Sequence, residues 1–147
     1  MTHWREAGRS DVPAIVALLR DDVLGRNRED GDMGAYLAAF DRIATQPDNL
    51  LIVGQRDDRV IACYQITFID GLSLQAARRA LIEGVRVAAD LRGHGVGDAL
   101  MQDAEARARA AGCRLLQLTT NRTRGEAHRF YHRLGFTASH IGFKKPL

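Results

Sequence analysis

The chain has 147 residues, 46% of them apolar and 27% charged, which fits one globular domain with its own core and excludes a disordered or low-complexity chain. Its net charge of +3 is too small to argue for nucleic acid, and all 21 basic residues except Lys144 and Lys145 are arginines spread along the chain, as on a solvated surface. Cys63 and Cys113 stand far apart with no Cys-x-x-Cys, which excludes a disulfide framework and favours a reducing compartment.

Residues 2 to 7 can form a short strand. Ser10 or Asp11 can cap a helix with Pro13 in its first turn, where the missing N–H costs little. Val12, Ile15, Val16 and Leu19 mark one face of that helix. The polar stretch LGRNREDGDMG, 24 to 34, reads as a loop. A second helix covers roughly 34 to 45, with Leu37, Phe40 and Ile43 or Ala44 on its apolar side and Pro47 beyond its end. NLLIVGQ, 49 to 55, and VIACYQITFI, 60 to 69, read as two strands of a hairpin joined by RDDR. Residues 70 to 79 read as a loop, or a loop with one helical turn, and ALIEGVRVA, 80 to 88, as a strand with several β-branched residues. A helix from about 95 to 111 places Val96, Leu100, Ala104 and Ala108 on one face, with Gly112 as a left-handed stop. LLQLTT, 115 to 120, reads as a strand, 125 to 134 as a helix stopped by Gly135, and FTASHIGFKK, 136 to 145, as terminal strand material. There is no repeat and no linker. The order β α α β β β α β α β predicts a single domain, 1–147, of α/β (α+β) class with a strand–helix–strand crossover in its second half.

The start MTHWREAG has no apolar run of the kind a secretory signal needs. Thr2 stands where myristoylation requires glycine, and the run AIVALL, 14 to 19, is far too short to cross a bilayer. The expectation is a cytoplasmic protein with no membrane and no nucleic-acid partner, either monomer or homodimer.

Residues 92 to 97 read RGHGVG, between a strand and a helix. Gly-Lys is absent, which excludes a P-loop. The sixth position counted from Gly93 is Asp98 and from Gly95 is Leu100, which excludes a dinucleotide fingerprint. A strand, a turn with Arg92, Gly95 and Gly97, and a helix remain. The first N–H groups of a helix have no partner in the helix, they add to its dipole, and glycines let an anion approach the backbone. Arg92 adds a charge at the rim. This context fits a phosphate site; a plain glycine-rich turn is the alternative.

VAADLRGHGVG, 87 to 97, resembles the strand end and R/Q-x-x-G-x-G/A segment of the GNAT superfamily of N-acetyltransferases, and TTNRTRGEAHRFYHRLGF, 119 to 136, resembles that family's Asn…Ala-x-x-x-Tyr-x-x-x-Gly-Phe segment. The order of elements fits as well. The resemblance implies a GNAT-like fold: a mixed central sheet of about six to seven strands with four helices, splayed between the fourth and fifth strands. It implies acetyl-CoA as co-substrate. The pyrophosphate would lie on the backbone amides of about Gly93 to Asp98 (Gly93, His94, Gly95, Val96, Gly97 and Asp98), with Arg92 at the rim. The pantetheine arm would pair with the backbone of Val85 to Val87 like an added strand. Asn121 would contact that arm, and Ala127 and Tyr131 would line the thioester end. Ala89 replaces the family's common proline, Asp98 puts a carboxylate beside the phosphate site, and the spacing from Asn121 to Ala127 is longer than usual, as in a small-molecule subgroup with the form N-x-x-R-x-x-A-H-R-F-Y.

Acetyl transfer to an amine needs a base for the ammonium, a donor to the thioester carbonyl and an acid for the leaving thiolate. Glu83 is the candidate base, on the strand before the phosphate turn; an ion pair with Arg79 is the alternative. Strict alternation would put residues 83, 85 and 87 on one face. Tyr131 is the candidate acid, with a core aromatic as the alternative, and the Val87 N–H is the carbonyl donor. His128 and His132 have a metal-capable spacing on a helix, but no HExxH or carboxylate accompanies them, so no metal is expected. His94 reads as a surface residue, and His128 as a residue that orients Tyr131 or contacts substrate. Tyr64, Gln65 and Thr67 lie on the central hairpin, one alternation face toward substrate and the other toward the core. Arg26, Arg28, Glu29, Asp30 and Asp32, with Arg78 and Arg79, mark two charged loops that could flank the acceptor. The expected reaction moves an acetyl group to a primary amine of a small molecule by direct attack in a ternary complex. The alternatives are a protein or peptide amine as acceptor, and an acetyl-CoA-binding regulatory module without turnover.

Overall fold

Two long strands with alternating apolar residues form the centre of the sheet, and helices with one apolar stripe cover it. The computed structural model describes residues 1–21, 25–29, 31–121 and 123–147; Leu24 and Asp30, both in the expected charged loop, lie outside the described residues. The elements are β1 (His3–Glu6), α1 (Val12–Arg20), α2 (Gly25–Arg28), α3 (Met33–Ile43), β2 (Asn49–Arg56), β3 (Arg59–Ile69), α4 (Ser73–Ala76), β4 (Arg79–Val87), α5 (Val96–Ala110), β5 (Leu115–Leu118) and α6 (Gly125–Arg133). The contacts between Cα atoms divide the chain into two compact units, Met1–Gln117 and Leu118–Leu147. No described helix is long and apolar enough to cross a membrane.

The strand order is β1-β2-β3-β4-β5, with β1/β2, β2/β3 and β3/β4 antiparallel. Helix α5 crosses over from β4 to β5, which makes the sheet mixed. The Arg114 N–H donates to the Arg78 carbonyl at 2.8 Å, joining the residues that precede β5 and β4. The described residues contain five strands rather than six to seven. The expected strand at 136 to 145 does not form. Phe136 is used instead to close α6: its N–H donates to the Tyr131 carbonyl at 3.0 Å, after Gly135 at φ +94°. Residues 137–147 are irregular, with Ile141 and Phe143 exposed. The alternation there finds no neighbouring strand to complete a ladder.

The core gathers Val12, Ile15, Val16 and Leu18 of α1, Ile52, Val53, Ile61, Tyr64 and Ile66 of the hairpin, Ile82 of β4, and Val96, Leu100, Met101, Ala104 and Ala108 of α5. On α1 the buried leucine is Leu18 rather than Leu19. Asp32 caps α3 by accepting from the Ala35 N–H at 3.0 Å. The loop at 70 to 78 contains one helical turn of the opposite hand to that expected: Leu74, Gln75 and Ala76 all have φ between +54° and +61°, at roughly 1–2 kcal/mol each.

A polar contact fastens α5 to the sheet. The Tyr64 hydroxyl, 1% exposed as a residue, donates to Asp103 Oδ2 at 2.5 Å. Arg107 Nε donates to the same oxygen at 2.8 Å, and its guanidinium also reaches the Trp4 carbonyl at 3.4 Å. Burial, then the Asp103 carboxylate, push the Tyr64 hydroxyl far above its ordinary value, so it remains a donor. Gly54 makes room for this corner, since a Cβ there would meet the Trp4 ring at 2.6 Å.

Tyr64→Phe removes one donor while Arg107 still satisfies Asp103, so it should cost about 1–2 kcal/mol in urea unfolding with an unchanged m-value. Burial pushes the Cys63 thiol up to about 12. Between the unfolded value near ~8.5 and that value, the unfolded chain loses a proton the folded chain keeps, so this group makes stability fall as pH rises through the window. Titration with a thiol reagent at pH 8 should label Cys113 in the native protein and Cys63 only after denaturation.

Candidate active site

Strand β4 carries the first part of the site, and a bulge decides which way its side chains face. In the β3/β4 register Cys63 opposes Arg86 and Gln65 opposes Glu83. Tyr64 alone on β3 therefore faces the pair Gly84 and Val85 on β4. Gly84 has φ +61°, the left-handed conformation that a bulge of this kind requires. Opposed residues share a face, so Glu83 and Arg86 lie on the Gln65 and Cys63 face, and Val87, opposite Ala62, lies on the other. The strict alternation that groups 83 with 87 is broken by the bulge. Glu83 is exposed, Val85 and Val87 are half-buried, and among the described residues Glu83 forms no ion pair with Arg79.

The turn after β4 carries the second part. Ala89 stands at the expected proline position, and the chain bends there without one through a tight helical turn, Ala89–Leu91. Gly93 and Gly95 have φ of +78° and +83°, and a Cβ built on either meets nothing within 4 Å. Gly95 is the N-cap of α5, and its carbonyl accepts from the Ala99 N–H at 3.1 Å. The amides of Val96 and Gly97 precede that first helical bond and have no carbonyl in the helix to bind. Asp98 lies in the first turn, where a carboxylate interacts favourably with the helix dipole. Arg92 does not stand free at the rim. Its Nε donates to the Val87 carbonyl at 3.2 Å and its NH2 to the Asp21 carbonyl at 2.9 Å, with the Asp21 carboxylate 3.9 Å away. It braces the end of β4 against the end of α1. His94 is exposed, with Nδ1 2.9 Å from the Arg92 carbonyl.

The hairpin supplies a polar group on the Glu83 face. Tyr64 turns into the core, as described. Gln65 Nε2 donates to Asn49 Oδ1 at 2.8 Å, and Thr67 Oγ1 donates to the same oxygen at 3.3 Å. Asn49 is absent from the sequence-based candidates. At the head of a strand it resembles a turn residue, and only the register of β2 with β3, which opposes it to Thr67, reveals its place.

In the second unit, Ala127 and Tyr131 are one turn apart on α6, both half-buried. The Tyr131 ring packs edge-on against Phe130 and Phe136, with centroids at 5.1 and 5.6 Å. The Asn121 side chain accepts from the Thr123 N–H at 3.0 Å and the Thr123 hydroxyl at 2.7 Å, which closes a local turn. His128 Nε2 lies 3.1 Å from the Asn121 carbonyl, so that ring steadies the turn before α6. Among the described residues no group of three or more His, Cys, Asp or Glu side chains is placed to hold a metal ion.

The model of the acetyltransferase (GNAT) family matches residues 14–136. The chain belongs to the GNAT acetyltransferase family. Enzymes of this family take their acetyl group from acetyl-CoA. A transcriptional regulator from Bacillus halodurans C-125 is 41% identical over 100% of both chains, with a TM-score of 0.95. A protein of Agrobacterium tumefaciens str. C58 assigned as an acetyltransferase is 27% identical over 99% of both chains, with a TM-score of 0.85. The aminoalkylphosphonate N-acetyltransferase of Salmonella typhimurium is 44% identical over 66 residues, 45% of this chain and 43% of that protein.

Gly95→Ala tests the turn. Its Cβ meets no atom, so the change should cost about 1–2 kcal/mol in unfolding through the backbone alone. It should lower CoA affinity in calorimetry by about tenfold or more, because the methyl enters the space over the amides.

Proposed function

We propose that this chain moves an acetyl group from acetyl-CoA to the primary amine of a small molecule, by direct attack in a ternary complex. The observation that carries the reading is the open, left-handed turn at Gly93 and Gly95 before the amides that begin α5. Such amides suit a diphosphate, and the glycines leave it room. The pantetheine arm would pair with the backbone of Val85 to Val87, next to the bulge, with Asn121 and Ala127 along its course. In the reaction Glu83 takes the proton of the ammonium, directly or through water. The nitrogen lone pair attacks the thioester carbon while the Val87 N–H donates to the oxygen. The C–S bond then breaks, Tyr131 gives its proton to the thiolate, and the second proton of the new amide nitrogen leaves, directly or through water, to restore the Tyr131 hydroxyl. A covalent acetyl-cysteine route is disfavoured by Cys63, whose buried thiol is held protonated at neutral pH.

The name of the Salmonella relative makes aminoalkylphosphonates the first acceptors to try. A second reading rests on the Bacillus regulator, matched over its whole length: a module that binds acetyl-CoA and signals without turnover.

Free-thiol release from acetyl-CoA against a panel of primary amines, including 2-aminoethylphosphonate, separates the two. Turnover with an acetylated amine identified by mass spectrometry supports the enzyme; bound acetyl-CoA with no thiol released by any amine supports the regulator. Given turnover, Glu83→Gln and Tyr131→Phe should each lower kcat about 10²- to 10⁴-fold while calorimetry shows acetyl-CoA binding retained.

A further inference from the structure

We infer that Gln65 is an acceptor-binding residue whose carbonyl oxygen holds the amine beside Glu83, and that Asn49 is the positioning residue that sets it; this rests on the function proposed above. Gln65 and Glu83 are directly opposed across β3 and β4, so their side chains leave the same face of the sheet as neighbours. Glu83 is exposed and Gln65 half-buried, so a ligand on this face reaches both.

The Gln65 amide has two different prongs, a donor NH2 and an acceptor oxygen. Its Nε2 is committed to Asn49 Oδ1 at 2.8 Å, which turns Oε1 away from Asn49. Asn49 is itself held on three sides. Its Oδ1 also accepts from the Thr67 hydroxyl at 3.3 Å, and its Nδ2 donates to Gln46 Oε1 at 2.9 Å. The strands fix the backbone of all four sheet residues, Asn49 opposing Thr67 and Gln65 opposing Glu83. The result is a preset acceptor oxygen next to a carboxylate.

A primary ammonium has three N–H groups. One proton leaves to Glu83, and a second N–H donated to Gln65 Oε1 would hold the nitrogen so that its new lone pair has one direction. An oxygen used this way binds amine in the ground state as well as in the transition state, so its loss raises KM for the acceptor more than it lowers kcat. The bland alternative is a polar patch that only supports the sheet. It predicts lost stability and no selective change in acceptor KM.

Initial-rate kinetics with the amine turned over fastest in the panel above decide it. Gln65→Met keeps the length of the side chain and removes the oxygen. It should raise acceptor KM about tenfold, with KM for acetyl-CoA and the thermal midpoint unchanged. Asn49→Leu should raise acceptor KM in the same direction, whereas Asn49→Asp keeps an acceptor for Gln65 and Thr67 and should restore it. The double variant Gln65→Met with Asn49→Leu should be no worse than Gln65→Met, because Asn49 acts through Gln65. If Gln65→Met does not fold, the contrast between Asn49→Leu and Asn49→Asp decides by itself. A wild type that turns over, with acceptor KM unmoved in these variants, overturns this inference alone. A wild type that releases no thiol with any amine overturns the proposed function and this inference with it.

Discussion

A helix cannot satisfy its own first amides, and the rest of the arrangement follows from where those of α5 are placed. They open directly from the turn after β4, under two glycines in the left-handed conformation with empty space where side chains would be. Each side of this junction is anchored. The Tyr64, Asp103 and Arg107 contact ties α5 to β3 and β1, while Ala104 and Ala108 let the helix settle on the sheet. Arg92 joins the end of β4 to the end of α1. Helix, strand and turn are held as one frame, so the amides keep their direction without a ligand, which is what a preorganised anion site requires.

The second constraint is the bulge at Gly84. One extra residue in β4 changes the phase of the strand between Glu83 and Val87. The carboxylate then shares a face with Gln65, Thr67 and Asn49, and the residues leading into the turn take a different phase. The bulge therefore separates the polar face proposed for the amine from the backbone stretch proposed for the pantetheine arm. Without it Glu83 and Val87 would point the same way and crowd one face.

Much of this was legible in the sequence, for local reasons. The pattern of α5 is a periodic helix with small residues every fourth position, and glycines before it mark a turn whatever lies nearby. The hairpin and β4 are long apolar segments with clear ends. Three features depend on distant partners and were not legible. Asn49 owes its role to the register of β2 on β3. Gly84 sits in a strand pattern, where a lone glycine is the one available signal of a bulge, but strict alternation passes over it. Residues 136 to 145 carry strand-like alternation, yet a strand exists only where a ladder partner does, and the closure of α6 takes Phe136 first. The left-handed turn at Leu74, Gln75 and Ala76 has no local sequence signal at all, since none of these residues favours that conformation.

The central claim is that the backbone at the head of α5 grips a diphosphate. Nitrogen–proton correlation NMR of the labelled protein, titrated with CoA and in parallel with dephosphorylated pantetheine, tests it most directly. The account predicts that the amides of Gly93 to Asp98 shift most with CoA and little with pantetheine. Amides there that stay in place while others move with CoA would contradict it.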